Sequence, residues 1–172
     1  MRVLRSVIAA VVIAMPASAV ADAPARVAVF DFELIDTSLE GGTRPPRADE
    51  QRRLRAISDQ LRAAVAASAI YEVVDIQPAA ADIQAAGYLH GCNGCEADIA
   101  RELGAALAIT GTVQKVSNLI LNFNLYVRDA ETGERRRAMS VDIRGNTDES
   151  WRRGMSYLLR NRLLRDDTAE KR

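Results

Sequence analysis

Tyr88 to Glu96, YLHGCNGCE, gathers both cysteines and the only histidine of the 172-residue chain into one short stretch. Three chemistries fit that spacing. A C-x-x-C pair with glycine inside the loop closes a tight disulfide, which is the favoured state of an exported protein. The same pair can run thiol–disulfide exchange, because Cys95 stands just ahead of a helical stretch whose N-terminal dipole favours a thiolate. Alternatively His90, Cys92 and Cys95, with Glu96 or Asp98 as fourth ligand, suit zinc or copper. Haem attachment is not matched, since Glu96 rather than a histidine follows Cys95. A thioredoxin-type site would open the first long helix after a strand, and here a short helix intervenes.

Outside that stretch the chemistry is sparser. Asp31 and Glu33 are two residues apart near the end of a strand, a spacing that puts both carboxylates on one side for acid/base work or leaves them solvated. Gly41-Gly42, beside Thr43 and Arg44, offers backbone N–H groups to an anion but lacks the Gly-Lys-Ser/Thr ending of a P-loop. The histidine is spent beside the cysteines, so a Ser/His/Asp hydrolase is not expected and no catalytic residue is assigned. A cofactor is not expected unless the loop binds zinc or copper. Asn122, Asn124 and Tyr126 form the third candidate surface, one for a protein partner or a small ligand.

The elements that hold these residues are legible from periodicity. Leu119, Leu121, Phe123, Leu125 and Val127 alternate with Asn122, Asn124, Tyr126 and Arg128, which predicts a strand with one buried and one wet face. Leu107 to Val113 precedes it and Met139 to Ile143 follows it, with Asp129 to Gly133 as hairpin loop, so three antiparallel strands run in succession. Arg26 to Leu34, apolar on both faces, reads as a central, doubly covered strand. Asp49 to Ser68 is an amphipathic helix with Leu54, Ile57, Leu61 and Val65 on one face. Tyr71 to Ile76 is a short strand, Pro78 to Ala86 a short helix ended by Gly87, and Asp98 to Leu103 a further helical turn. The last helix opens at Asn146 to Glu149, with Asn146 as N-cap and Glu149 closing a capping box, and carries Trp151, Met155, Leu158 and Leu159 as its stripe. The predicted class is α/β: a two-layer sandwich with a mixed sheet of about five strands, a C-terminal antiparallel meander and the long helices on one face.

The ends frame a single domain. Arg2 and Arg5, the apolar run Val7 to Met15 and the small residues Ala17 to Ala21 have the order of a cleavable signal peptide over residues 1–21. No cysteine stands at the cleavage site, which argues against a lipid anchor. Residues 22–165 form one domain and residues 166–172 a charged tail. Of 23 basic and 23 acidic residues, removing Arg2 and Arg5 leaves 21 against 23, a net charge of −2. That balance gives no electrostatic basis for binding nucleic acid or an anionic membrane.

Val27-Ala28-Val29-Phe30-Asp31-Phe32 and Leu103-Gly104-Ala105-Ala106-Leu107-Ala108-Ile109-Thr110-Gly111-Thr112-Val113 resemble the exported α/β domains of the TolB amino-terminal and curli-secretion CsgG-like group, with Ala106 where that group often has an acidic residue. His90 to Glu96, Lys115 to Leu121 and Arg144 to Trp151 resemble an uncharacterised family of proteobacterial periplasmic proteins of unknown function. The resemblance spans nearly the whole mature chain. It implies a periplasmic location and the α/β fold, and an association with periplasmic quinoprotein alcohol oxidation. The expected function is a non-enzymatic accessory domain with a periplasmic protein partner, or alternatively a thiol-redox or metal-handling protein built on Cys92, Cys95 and His90.

Overall fold

The computed structural model describes residues 23–165, so the expected signal peptide over 1–21 and charged tail over 166–172 lie outside the described residues. The chain runs through β1 (Ala25–Asp36), α1 (Ala48–Ala66), β2 (Tyr71–Val74), α2 (Ala80–Ala86), α3 (Cys95–Glu102), β3 (Leu107–Lys115), β4 (Ile120–Asp129), β5 (Arg135–Arg144) and α4 (Asp148–Leu158). The strands form one sheet in the order β2-β1-β3-β4-β5. β1 is parallel to both β2 and β3, whereas β3, β4 and β5 are successively antiparallel. This is the mixed five-stranded sheet with a C-terminal meander that the periodicity predicts.

The long helices α1 and α4 share one face of the sheet. Val27, Val29, Phe32, Ile109, Leu121, Phe123 and Leu125 of the strands meet Leu54, Ile57 and Leu61 of α1 and Trp151, Met155 and Leu158 of α4. Each such side chain contributes about 1.5–3 kcal/mol by leaving water. Packing is close enough to require glycine twice. A Cβ at Gly154 of α4 would lie 2.5 Å from Ile143, and one at Gly111 of β3 would lie 2.3 Å from the Phe32 ring.

Among the described residues the opposite face is covered over only half its width. Ala28 and Phe30 of β1 and Ala108 of β3 pack there against Ala79, Leu89, Ile99 and Ala100, contributed by the short helices and the turns between them. β1 is therefore doubly covered, as its apolar pattern predicts. Across β4 and β5 no helix lies on that face among the described residues, and Asn122, Asn124 and Tyr126 stay partly exposed there.

Two local predictions need correction. The first concerns β1, where the register with β3 slips between Val29 and Phe32: three steps along β1 match two along β3. The extra residue is a β-bulge, and it resets the alternation so that Phe32 joins Val27 and Val29 on the long-helix face. Asp31 pairs with Arg62 of α1, whereas Glu33 pairs with His90 on the other side, so the two carboxylates do not work together. The second concerns α4, whose N-cap is Thr147 with Ser150 completing the capping box. Asn146 is drawn elsewhere: its Oδ1 accepts from Trp151 Nε1 at 2.9 Å and from Arg53 at 3.1 Å, and its Nδ2 donates to Glu50 at 2.6 Å. Smaller shifts also occur. α3 begins at Cys95 rather than Asp98, and Leu119, ahead of β4, is exposed.

Candidate functional site

The cysteine loop is shaped by its backbone. A 3-10 turn, Leu89–Gly91, leads into Cys92. Asn93 and Gly94 then adopt positive φ angles of 58° and 114°, conformations that asparagine and glycine tolerate best. Two left-handed residues in succession fold the chain back within one turn, so Cys92 and Cys95 are joined as a disulfide with Cα atoms 5.6 Å apart. Cys95 is the first residue of α3.

Two carboxylates, one half-buried and one buried, clamp this loop to the sheet. Glu33 of β1 accepts the backbone N–H of Leu89 at 2.6 Å and of His90 at 3.0 Å. His90 Nδ1 lies 2.6 Å from the same carboxylate and donates to it in the tautomer protonated there. Glu96 of α3 is 5% exposed, and its Oε1 accepts from Arg128 Nε of β4 at 2.6 Å. Its Oε2 lies 3.5 Å from Cys92 Sγ. One carboxylate thus ties the loop to β1 and the other ties α3 to β4.

The structure brings together part of the expected ligand set. Ligand atoms of Cys92, Cys95 and Glu96 lie within 4.8 Å of one another. His90 does not join them, because Glu33 holds its ring. Asp98 does not either, since it pairs with Arg101 on the surface of α3 at 2.7 Å. With the sulfurs joined there is no thiolate for a metal, so the trio can act as ligands only after reduction. The Gly41-Gly42 segment is no anion cup. Gly41 N–H donates to Ser38, and where a Cβ of Gly41 would stand the Asp36 carbonyl oxygen lies 2.5 Å away and its carboxylate Oδ1 2.8 Å away, both of which would repel an anion.

The open sheet face is polar and already organised. Asn122 donates to Asp142 at 2.6 Å and Asn124 to Thr112 at 3.4 Å, tying the three strands of the meander together. The Arg135 guanidinium lies 5.0 Å above the Tyr126 ring, a cation–π contact. The side chains of this face are therefore held in place by one another.

Sequence reasoning missed a buried charge cluster at the other end of β3. Lys115 and Glu50 are each 1% exposed and meet at 2.9 Å. Asp36 lies 3.1 Å and Glu40 3.5 Å from the same ammonium. Burial alone would push the Lys115 ammonium down, but the hydrogen bonds it donates to Glu50 and Asp36 outweigh burial and hold it above the ordinary lysine value. Burial likewise pushes Asp36 up, and is outweighed by hydrogen bonds from Ser38 and Lys115, so its carboxyl sits below the usual range. A signal existed. Lys115 continues the inward parity of Val113, and Glu50 begins the stripe of Leu54, Ile57 and Leu61. Among the described residues no helix is long and apolar enough to cross a membrane.

Residues 25–163 match the family described as DUF3280, Protein of unknown function (DUF2380). No curated protein sequence matches the chain. Among solved structures the chain is similar to the LpoB C-terminal domain from Salmonella enterica, at 17% identity over 74% of this chain and 87% of that one, with a TM-score of 0.49. It is similar to Lipoprotein GNA1162 from Neisseria meningitidis at 15% identity, 73% and 84% coverage and a TM-score of 0.46. It is also similar to TolB from Acinetobacter baumannii at 10% identity, covering 84% of this chain and 30% of that one, with a TM-score of 0.41. The expected place in a family of unknown function is met by the first of these matches, and the structural likenesses concern the fold.

Proposed function

We propose that this chain, which belongs to the DUF3280 family of proteins of unknown function, is an exported, non-enzymatic accessory domain that binds a protein partner through the open half of its sheet. The observation that carries the reading is the uncovered β4–β5 face, where Asn122, Asn124 and Tyr126 are held by Asp142, Thr112 and Arg135. Polar groups fixed before binding lose little conformational entropy when a partner docks. Export to the periplasm is supported by Arg2, Arg5, the apolar run Val7 to Met15 and the small residues up to Ala21. The kinship with curli-secretion CsgG-like domains and the association with quinoprotein alcohol oxidation belong to the same reading, and rest on the sequence resemblance alone.

Asn124→Arg sets a long charged side chain in the middle of this face. Chemical cross-linking in intact cells should then lose the partner adduct that the wild type gives, with thermal stability unchanged, while Cys92→Ser keeps the adduct. An adduct that survives Asn124→Arg and disappears in Cys92→Ser would move the docking site to the cysteine loop.

One observation favours a second reading, thiol redox or zinc or copper handling: the buried Glu96 carboxylate stands against the Cys92–Cys95 sulfurs. The intact mass of protein isolated without reductant separates the two. A mass short by two hydrogens with nothing bound natively supports the partner-binding domain, and free thiols carrying a metal lost on denaturation support the other.

A further inference from the structure

Among the described residues β5 is the last strand of the sheet and has a neighbour on one side only. The phase of its ladder is set by Gly145, whose N–H donates to Leu119 at 2.8 Å, and by the pairing of Ile143 with Leu121, Val141 with Phe123 and Met139 with Leu125. In an antiparallel pair alternate residues turn both backbone groups toward the neighbour, and the residues between turn both away. Ala138, Ser140, Asp142 and Arg144 are the residues between. Among the described residues none of the four makes a backbone hydrogen bond to another element, and all four are exposed. Met139 and Ile143 of the strand are buried in the core that α4 covers. The other edge of the sheet, β2, spans four residues against ten for β5. A long edge with free donors and acceptors is a template for one more strand.

We infer that this edge is the docking strand for an extended, acidic segment of the partner protein, which adds to the sheet as a sixth strand; the inference rests on the partner-binding reading above. The charge of the edge selects the occupant. β5 carries four arginines, Arg135, Arg136, Arg137 and Arg144, against one acidic residue, Asp142, whose carboxylate already accepts from Asn122. Arg137 donates to the carbonyls of Arg162 and Leu163, which brings the exposed Arg160 and Arg162 to the same end. Asp129, paired with Arg136, and the exposed Glu131 and Glu134 of the hairpin loop are the local counter-charges, and the arginines outnumber them. A second copy pairing edge to edge would join two strips that each carry this excess of arginine. An acidic strand neutralises it, with the backbone supplying affinity and the arginines specificity.

The test uses the full chain and a fluorescein-labelled nine-residue peptide of alternating glutamate and threonine, followed by anisotropy. The expected result is saturable binding that a lysine-threonine peptide does not share. Ser140→Pro removes one outward N–H and leaves the β4 ladder intact, so it should weaken binding by about tenfold or more, as the loss of a docking hydrogen bond plus the steric bar of the ring requires. Ser140→Thr should bind as the wild type does, and Arg135→Glu with Arg162→Glu should abolish binding. Hydrogen exchange on the wild type should show new protection at the amides of residues 138, 140, 142 and 144 when the peptide is bound, a readout that does not depend on how Ser140→Pro folds. Absence of binding, binding with no protection at those amides, or a wild-type dimer that Ser140→Pro turns into a monomer would each overturn the inference. The cross-link that Asn124→Arg removes is independent of the peptide. If it forms while the peptide fails, the edge proposal falls and the partner reading stands; if neither appears, both fall.

Discussion

Lys115 is a charged side chain deep between β1, β3 and α1, and it is tolerable there only because Glu50, Asp36 and Glu40 surround it. Removing one partner from a buried pair leaves an uncompensated charge, so Lys115→Met should cost about 3–5 kcal/mol in urea unfolding at neutral pH. The pH dependence follows from the directions of the shifts. Asp36 lies below its ordinary 3.8, so its contribution is present above that value and is lost as pH falls through the lower, folded one. Lys115 lies above its ordinary 10.5, so its contribution is present below that value and is lost as pH rises through the folded one. Unfolding midpoints measured from acid to alkali should therefore fall at both ends, and Lys115→Met should remove the Lys115 share of the alkaline fall. The disulfide is a smaller quantity. A four-residue loop gives about 2 kcal/mol on the loop-entropy scale, so Cys92→Ser should lower stability by about that much under oxidising conditions and by nothing against reduced wild type.

At the scale of elements, capping shows where side-chain competition decides structure. Asn146 and Thr147 are both good N-caps, and the choice falls to Thr147 because Asn146 has buried work with Trp151, Arg53 and Glu50. Thr147→Ala should cost about 1 kcal/mol in thermal or urea unfolding. Glu149→Ala should cost less than about 0.5 kcal/mol, because its carboxylate makes only an exposed pair with Arg153. The same contrast explains what could be read from the chain alone. The alternation of β4, the stripe of α1 and the apolar face of α4 are properties of a regular backbone, and each appears in the structure as periodicity predicts. The bulge in β1 is not such a property, since one extra residue leaves the composition of the strand unchanged while reversing which carboxylates share a side. Cys92 and Cys95 were visible as a pair, but their companions were not. Glu33 reaches the loop from 56 residues away, and Arg128 reaches Glu96 from 32, distances that no local pattern spans.

At the largest scale the described residues form one sheet with unequal cover: two long helices over one face, short helices over half of the other, and polar strands open on the rest. That asymmetry has a consequence for how the chain acquires its structure. β1 has no antiparallel neighbour; both its partners are parallel, and its longer pairing, with β3, joins Val27 to Leu107. Loop closure over such a separation is slow, and it cannot begin in a nascent chain before β3 has been made. A fragment covering residues 23–106 should therefore show no cooperative unfolding transition by circular dichroism, whereas the full chain does. A polypeptide so arranged can complete its central ladder, β1 with β3, only after most of it has been made.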